Sequence, residues 1–477
     1  MGDLKKLAGQ TAIYGIPTIV GRFLNYLLVP VYTYSLTADR YGVVSELYAY
    51  VSFLMIMLTY GMETAYFRFS QEAKDKKTVF NTSMLSLFTT TMLFLLLTMC
   101  NLGSLSDAMG YSAHKEYIAL FLIIVSLDAL RAIPYAKLRR ENKAARFALI
   151  KSVDIFSNIL FNLFFFFVLK PEDLVLCIFL SNMFASLIAM LMLLPEYLQF
   201  RFKFDFRLLK QMLLYGLPVM VGGLAGMVNE TFDRIALKHL VECPVSVSDC
   251  ESYVMSNIGI YGACYKLSIV MSLFIQAFKF AAEPYFFSKM KNADAKQTYA
   301  DVMSVYTLFL LTIFIGVMAY LDILQYFVGS EFRSGLKVVP VLLLANLCLG
   351  IYYNLSVWYK VSDKTIYGAY ISGIGAVITL ILNYLLVPHL GYMGAAWTTL
   401  ICYFAIMVIC WAFGQKFYPV KYPIKRLSLY TLLALVLVGA IICNPVANIV
   451  LKLLINTALL LVFVAVAYRF DVRKRLS

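Results

Sequence analysis

The chain has 477 residues, of which 61% are hydrophobic and 14% charged, and it carries a formal net charge of +14. Because about a quarter of the residues in a soluble globular chain are charged, this composition excludes an ordinary soluble protein. Long apolar runs recur from end to end, and lipid cannot satisfy exposed backbone polar groups, so the runs predict an all-α polytopic membrane protein and not a β-barrel.

In chain order, the apolar runs predict about fourteen transmembrane helices. The first run is too long for a signal peptide and has no small-residue cleavage site after it, so we expect a permanent span. No connecting segment exceeds about twenty residues, which predicts no soluble domain and no nucleotide-binding loop. The predicted spans are 8–36, 41–67, 80–101, 115–136, 147–169, 173–197, 208–238, 257–287, 299–321, 335–359, 365–388, 392–414, 427–443 and 446–468.

The basic residues alternate between the two sides of these spans. With the amino terminus inside, 28 Lys and Arg fall in inner segments, six in outer segments and seven within spans. Cytoplasmic loops of membrane proteins carry an excess of Lys and Arg. The distribution therefore predicts that both termini are cytoplasmic, and it explains the positive charge without a nucleic-acid partner.

An internal repeat links the two halves of the sequence. The segment YGIPTIVG at 14–21 recurs as YGLPVMVG at 215–222, and the second and eighth spans share a further match. Because the matched spans are six apart, the halves run in the same direction, which is typical of transporters with parallel repeats. The predicted division is an amino-terminal lobe 1–205, a second lobe 206–415, and two supplementary helices with a tail, 416–477.

Pro17 and Pro218 occupy the same point of the matched spans. Proline frees a backbone carbonyl and favours a kink in a helix. We therefore consider both residues hinge candidates for transport. A static kink that serves packing is the alternative.

Seven basic residues remain inside the predicted spans. An ionisable side chain in a span is costly, so it normally faces a cavity or a partner. Arg22 is the strongest candidate for binding an anionic substrate group, because no acid on the first span neutralises it and Asn25 lies on a similar helix face. Arg234, Lys266 and Lys279 are further candidates for the substrate headgroup. The complete set is Arg22, Arg131, Lys151, Arg234, Lys266, Lys279 and Lys452.

Several acids in the spans lie three or four residues from a base, which predicts local ion pairs. These predicted pairs are Asp128–Arg131, Lys151–Asp154, Glu230–Arg234 and Lys279–Glu283. Glu63 and Glu283 occupy equivalent positions of the repeat near the cytoplasmic ends, where an ionic gate between the halves would need them. Asp154 and Asp233 are alternative candidates for binding a coupling proton or sodium ion. Lys452 is expected to extend towards an interface.

Of nine cysteines, only Cys243 and Cys250 share a loop. They could form a disulfide if that loop faces an oxidising compartment; two unpaired thiols are the alternative. The three histidines and the remaining cysteines have no metal-ligand spacing, so no metal site is predicted.

Two stretches carry a family pattern. Near the amino terminus, Lys5-Lys6 precede a Gly-Pro-interrupted span with an embedded Arg, followed by NYLLVP at 25–30 and the turn DRYG at 39–42. A later stretch reads NYLLVPHLGYMGAAWTTLICY at 383–403. In order and content these motifs resemble the polysaccharide transport (Wzx-type) branch of the MOP flippase superfamily.

The resemblance implies a V-shaped pair of six-helix lobes with two extra helices. It implies that an undecaprenyl-pyrophosphate-linked oligosaccharide moves from the inner to the outer leaflet of the bacterial cytoplasmic membrane, by alternating access, with an H⁺ or Na⁺ gradient and no other cofactor. Arg22 matches an embedded basic residue in the first span of these flippases. Arg234, Lys266 and Lys279 match only in being basic and in the second lobe. Expected partners are membrane lipids and the polysaccharide polymerase and chain-length machinery.

Two other classes of function remain open at this point. A lipid II flippase or a drug exporter of the MATE type would share the fold, although an embedded Arg22 disfavours an exporter of cations. A membrane enzyme, such as an O-antigen polymerase or ligase, would need acid, His or Arg residues in a sizeable outer loop. The longest outer loop, near 239–256, contains three acids and one His, so we expect a transporter and no enzyme.

Overall fold

A computed structural model describes residues 21, 23–72, 75–290, 292 and 294–469, and it leaves the side chains of 72, 280, 281, 283, 284 and 288 undescribed. The described residues are helical with short connections, and none of them lies in a β-strand. The chain divides into two compact units, Met1–Lys238 and His239–Ser477. This division falls after the seventh predicted span. The predicted lobes follow the internal repeat instead, and they stay a prediction.

The described part of the first unit contains ten α-helices. They are α1 Leu28–Ser35, α2 Ala38–Thr59, α3 Met62–Glu72, α4 Lys76–Cys100, α5 Leu102–Ala108, α6 Lys115–Arg140, α7 Ala144–Leu163, α8 Leu174–Met192, α9 Leu194–Tyr197 and α10 Phe206–Leu240. A π-helical segment, Phe164–Leu169, extends α7.

The described part of the second unit contains nine more. They are α11 Cys250–Lys289, α12 Ala295–Ala319, α13 Leu321–Leu324, α14 Val339–Leu355, α15 Val357–Val361, α16 Ile366–Leu390, α17 Tyr392–Phe417, α18 Ile424–Ile442 and α19 Ile449–Ala467. Two 3₁₀ segments, Gln325–Phe327 and Ser330–Val338, precede α14.

Within the described residues, thirteen helices are long and apolar enough to cross a membrane. They correspond in order to the second through fourteenth predicted spans, which confirms the all-α polytopic fold. The first predicted span, 8–36, begins outside the described residues, and only its last part, with α1, can be compared.

Polar side chains cap the amino-terminal ends of several of these helices. Asp75 accepts hydrogen bonds from the backbone of Lys77 and Thr78 at the start of α4, and Asp173, Asp249 and Asn448 do the same for α8, α11 and α19. These caps satisfy amides that have no partner within the helix. The Thr78 hydroxyl and the Lys203 ammonium also lower the pKa of Asp75.

The second predicted span, 41–67, is broken into two helices in the structure. Tyr60 and Gly61 both have positive φ, 34° and 71°, and they separate α2 from α3. Gly61 lies against the backbone of Gly216 on α10, and a Cβ added at Gly216 would lie 2.8 Å from the Tyr60 carbonyl oxygen. Two helices approach this closely only where neither carries a side chain. The break and the glycine pair therefore belong to one packing arrangement.

Helix α10 is anchored beside this contact. Met212 is fully buried in a cluster with Tyr60, Tyr66 and Phe80. The Arg68 guanidinium lies 4.5 Å from the centroid of the Tyr215 ring. In the repeated segment YGLP, the tyrosine and the glycine thus both contact the α2–α3 region of the same unit.

The stretch 383–403 comprises the end of α16, the turn at Gly391 and the beginning of α17 in the second unit. Gly391 takes a positive φ of 54° in the turn. Both α14 and α16 pack against α17, and the Trp358 indole donates a hydrogen bond to the Cys410 carbonyl at 3.1 Å. Helix α19 is held at the end of α12, where the Asn456 amide donates to the Ala319 carbonyl at 3.1 Å.

We expect Gly216→Ala to destabilise the protein, because its methyl group would collide with the Tyr60 carbonyl. A backbone collision of this kind costs about 1–3 kcal/mol, which thermal unfolding of the purified protein in detergent would register as a lower midpoint. Gly226→Ala, on the same helix with open space around the position, is the matched control and should leave the midpoint unchanged or slightly raised. Equal midpoints for the two variants would contradict the close approach.

Candidate functional site

A buried charge network joins three helices of the first unit. Arg131 on α6 is 5% exposed and contacts Asp128 one turn earlier on the same helix. Its guanidinium also lies 3.2 Å from Asp154 on α7 and donates a hydrogen bond to the Ser186 hydroxyl on α8 at 3.1 Å. Ser186 in turn donates to Asp128 at 2.9 Å. We call Asp128, Arg131, Asp154 and Ser186 the Arg131 network.

The predicted pair Lys151–Asp154 is wrong, because Asp154 pairs with Arg131 instead. The Lys151 ammonium lies 4.3 Å from the centroid of the Tyr135 ring. Pairs on one helix contribute only about 0.2–0.5 kcal/mol, and a guanidinium that presents two nitrogens to carboxylates is the stronger partner in a buried place. The predicted pair Asp128–Arg131 is confirmed.

The Arg131 network and Lys151 together hold two carboxylates and two basic groups. Removing one partner of a buried ion pair leaves an uncompensated charge, which is strongly unfavourable. A proton or a cation added to this group would therefore have to replace one of the basic groups as the partner of a carboxylate. A set of equal positive and negative charges is chemically suited to such an exchange of one bound cation for another.

A second buried pair lies at the predicted outer end of the first unit. Glu46 on α2 is 0% exposed and accepts hydrogen bonds from the Lys238 ammonium at 2.7 Å and the Tyr111 hydroxyl at 2.5 Å. The Lys238 ammonium also donates to the Met109 carbonyl at 2.5 Å. We call this group the Glu46–Lys238 clasp. It fastens the end of α10 to α2 and to the segment after α5.

The Glu46–Lys238 clasp was not predicted from the sequence. Lys238 is one of the six basic residues counted in outer segments, but it lies inside the last turn of α10 with its side chain 13% exposed. The sequence does contain a signal for a buried ion pair at Glu46, because this residue is an acid inside an apolar span without a base three or four residues away. The partner could not be found, because it is 192 residues distant along the chain.

Arg234 and Asp233, both candidates from the sequence, contact each other on α10 at 3.1 Å. The predicted side-chain pair Glu230–Arg234 is wrong, because Arg234 donates to the Glu230 backbone carbonyl at 3.4 Å and not to its carboxylate. Asp233 is buried, whereas Glu230 is exposed. The buried carboxylate has the greater need of a cation.

The basic candidates of the second unit lie on α11. Lys266 is half-buried, and Lys279 is exposed with its ammonium 4.8 Å from the centroid of the Tyr353 ring. The side chain of Glu283 lies outside the described residues, so the predicted pair Lys279–Glu283 stays a prediction. Lys452 contacts Asp322 at 2.8 Å, and its expected extension towards an interface stays a prediction.

Glu63, the other gate candidate, lies on α3 and contacts Arg139 of α6 at 2.6 Å. Both side chains are about two-fifths exposed. An exposed pair contributes little to stability, so this one leaves Glu63 free to exchange partners. Its role in a gate stays a prediction.

Arg22 and Pro17 lie outside the described residues. Asn25 is exposed in the helical stretch before α1, and its side-chain oxygen accepts a hydrogen bond from Asn158 at 3.4 Å. Pro218 is exposed within α10, which continues through it as one helix. The hinge roles of the two prolines stay predictions.

In the segment between α10 and α11, which is a predicted outer loop, Cys243 and Cys250 form a disulfide with Cα atoms 5.6 Å apart. Elsewhere, His114, Glu116 and Asp173 place potential ligand atoms within 4.8 Å of one another. His114 contacts Glu116 at 3.0 Å, and Asp173 caps α8 and accepts a hydrogen bond from Tyr117 at 2.7 Å. These interactions account for the positions of His114, Glu116 and Asp173 without a metal ion.

Comparison with protein families gives a match between residues 7–290 and the family described as "Polysaccharide biosynthesis protein". Two relatives are an uncharacterised membrane protein of Methanocaldococcus jannaschii, 24% identical over 76% of this chain and 68% of its own length, and a protein of the Lsg locus of Haemophilus influenzae, 23% identical over 74% of this chain and 84% of its own.

Solved structures with the same fold include two kinds of membrane transporter. The lipid II flippase MurJ, in an inward closed conformation, matches with a TM-score of 0.74 at 16% identity, over 96% of this chain and 98% of its own. An inward-facing multidrug resistance transporter of the MATE family matches with a TM-score of 0.61 at 14% identity, over 90% of this chain and 95% of its own. At these identities the likeness shows the fold alone.

We expect Glu46→Gln to lower the free energy of unfolding by about 3–5 kcal/mol, because it leaves the Lys238 charge without its counter-ion. Denaturant or thermal unfolding in detergent measures the loss. The double variant Glu46→Gln/Lys238→Met should lose less than the sum of the single variants. Glu116→Gln, which changes an exposed carboxylate, is the control and should change the free energy by less than about 0.5 kcal/mol. Additive losses would contradict the clasp.

Proposed function

The chain belongs to the polysaccharide biosynthesis protein family of the MOP flippase superfamily, and from this premise we propose that it is a lipid-linked oligosaccharide flippase. Its proposed substrate is an undecaprenyl-pyrophosphate-linked glycan repeat unit, moved from the inner to the outer leaflet of the bacterial cytoplasmic membrane by alternating access. The family match over 7–290, more than half of the chain, carries the proposal. The short connections between the spans agree with work done inside the membrane.

Basic side chains within the spans fit such a substrate. A pyrophosphate that crosses a low-dielectric core needs cationic partners, since an uncompensated buried charge is very costly. Arg22 remains the leading candidate by sequence. Among the described residues, Lys279 is exposed within α11, with its ammonium 4.8 Å from the centroid of the Tyr353 ring. The lipid tail can stay in the bilayer, so only the headgroup and sugars require a polar path.

We further propose that an H⁺ or Na⁺ gradient drives the cycle, with no other cofactor. The Arg131 network supports this step, because its two carboxylates already bind a cationic group and could exchange part of that contact for a proton or a metal ion. Asp233, held by Arg234, is the alternative coupling residue. A coupling ion shifts the population of the two access states only if it binds one of them better.

A lipid II flippase is the second candidate, because the MurJ structure covers nearly the whole chain. A MATE-type exporter shares the fold as well, but embedded cations suit an anionic substrate better than a cationic drug. We propose a transporter and no enzyme, since the matched family and folds are those of flippases and exporters. The polymerase and chain-length machinery that use the flipped glycan are the proposed protein partners.

Reconstitution in liposomes tests the proposed function. With an ion gradient imposed, vesicles that contain the protein should translocate a fluorescent undecaprenyl-pyrophosphate glycan faster than empty vesicles, and faster than they translocate labelled lipid II. Arg22→Ala should lower that rate by at least tenfold, since it removes a charge-assisted contact, and Arg22→Lys should retain part of it.

Arg40→Ala, which changes an exposed arginine in a predicted outer segment, is the control for the Arg22 variants. No translocation above empty vesicles would contradict the flippase proposal. Faster transport of lipid II would favour the second candidate. Full activity of Arg22→Ala, with transport intact in the wild type, would leave Arg22 a structural role only.

In the same assay, we expect Asp154→Asn to abolish the dependence of the translocation rate on the ion gradient, because the Arg131 network then lacks a carboxylate that can release its cation. Asp154→Glu keeps the charge and should keep the dependence. Asp107→Asn, an exposed aspartate on α5, is the control. Gradient dependence that persists in a folded Asp154→Asn variant would assign the network to stability alone.

A further inference from the structure

A cleft of about 650 Å³ lies within the second unit, between α12, α14, α17 and α18. Its volume is in the range of roughly 300–1,000 Å³ that is usual for small-molecule sites. Its walls are mainly aliphatic and aromatic, and the few hydroxyl groups include those of Tyr422, Ser428 and Thr431. Apolar cavities do not hold water favourably, so a cleft of this kind inside a membrane selects hydrocarbon.

The length of the cleft matches one leaflet of a bilayer. Its lining residues run from Leu344 to Leu355 on α14, from Leu400 to Trp411 on α17 and from Ile424 to Leu435 on α18. Each of these stretches rises about 17 Å at 1.5 Å per residue. The hydrocarbon core of a whole bilayer is about 30 Å thick, so the cleft is about as deep as one leaflet.

One end of the cleft adjoins a strongly basic segment. Between 416 and 428 the chain contains four basic residues and no acidic residue. The side chains of Lys416, Lys421, Lys425 and Arg426 are all exposed. Tyr422 and Ile424, which line the cleft, alternate with them along the chain. A ligand with its apolar part in the cleft would therefore meet positive charge at this end.

We propose that the cleft binds one acyl chain of an acidic glycerophospholipid, whose phosphate group is held by the basic segment 416–426. A lysine or arginine near an acidic lipid surface contributes about 1 kcal/mol to binding. An undecaprenyl chain is several times longer than the cleft, whereas a phospholipid acyl chain has about the length of one leaflet. The depth of the cleft thus favours a membrane phospholipid over the transported lipid.

Such a lipid would have a defined place in the packing of the second unit. Helix α18 packs directly against α12 and α19. Across the cleft it faces α14 and α17, where an acyl chain would fill the space between them. Bound lipid would therefore stabilise α18 in its position, and the acidic-lipid content of the membrane would regulate the protein.

Native mass spectrometry of the full-length protein tests the proposal. The protein in detergent is given palmitoyl-oleoyl phosphatidylglycerol or the corresponding phosphatidylethanolamine, and retained lipid is counted. Phosphatidylglycerol should be retained at least thirtyfold more, since each basic residue that contacts its phosphate contributes about 1 kcal/mol. Lys421→Gln/Lys425→Gln should lower its retention by about thirtyfold, roughly fivefold for each lysine, without changing that of phosphatidylethanolamine. Thr431→Trp, which fills the cleft, should lower the retention of both.

Two control variants match these changes. Lys76→Gln/Lys77→Gln removes two exposed lysines at the start of α4, in the first unit. Leu429→Trp places the same bulky side chain on α18 at an exposed position that does not line the cleft. Both should retain lipid as the wild type does. Because Thr431→Trp could impair folding, a photoreactive phosphatidylglycerol provides a second measurement on the wild type, and its cross-links should fall on α14, α17 and α18.

Three outcomes would overturn the proposal. The first is equal retention of the two phospholipids. The second is an equal loss in the Lys76/Lys77 and Lys421/Lys425 variants. The third is displacement of the photoreactive lipid from the cleft by undecaprenyl phosphate at a lower concentration than by phosphatidylglycerol, which would assign the cleft to the transported lipid.

Discussion

The hydrocarbon core of a membrane offers no counter-ion to a charged side chain, so each charge within a span must find its partner in the protein or in its ligand. The first unit meets this constraint twice with buried networks. Arg131 takes two carboxylates from two helices, and Glu46 takes the ammonium of Lys238. The Arg131–Asp154 pair joins the successive helices α6 and α7, whereas the Glu46–Lys238 pair joins helices that are distant in sequence. The buried ion pairs therefore hold specific helices of the first unit together.

The fold followed from local properties of the sequence, because the length and hydropathy of a span need no knowledge of its neighbours. Thirteen predicted spans thus correspond to helices of the described residues. The charge partners did not follow, since they depend on which helices touch. Spacing along one helix identified Asp128–Arg131, but it assigned Asp154 to Lys151 and could not connect Glu46 with Lys238. The break at Tyr60–Gly61 was missed for the same reason, because its cause is the backbone of Gly216 on another helix. The internal repeat includes Gly216. A repeat indicates a duplication, however, and it does not reveal that Gly216 packs against another helix.

Basic loop residues in a membrane protein have more than one use. In the positive-inside rule, the basic residues of the segment 416–426 are an orientation signal, and each Lys or Arg contributes equally to it. The cleft beside α18 gives this segment a second proposed use, because its charge adjoins an apolar space of one leaflet's depth. The two uses are compatible, since the charge that fixes a loop on the cytoplasmic side also places it among acidic lipid headgroups.

The disulfide between Cys243 and Cys250 sets the length of the tether between α10 and α11. Ten peptide steps separate Leu240 from Cys250, and a fully extended chain of that length would reach about 34 Å. The bridge shortens the path to three steps from Leu240 to Cys243, about 10 Å, followed by the 5.6 Å between the two Cα atoms. The end of α10 and the beginning of α11 can then never be more than about 16 Å apart in any state of the protein. Reduction of the disulfide would roughly double this maximum distance, so the redox state of the two cysteines limits how far the two helix ends can separate.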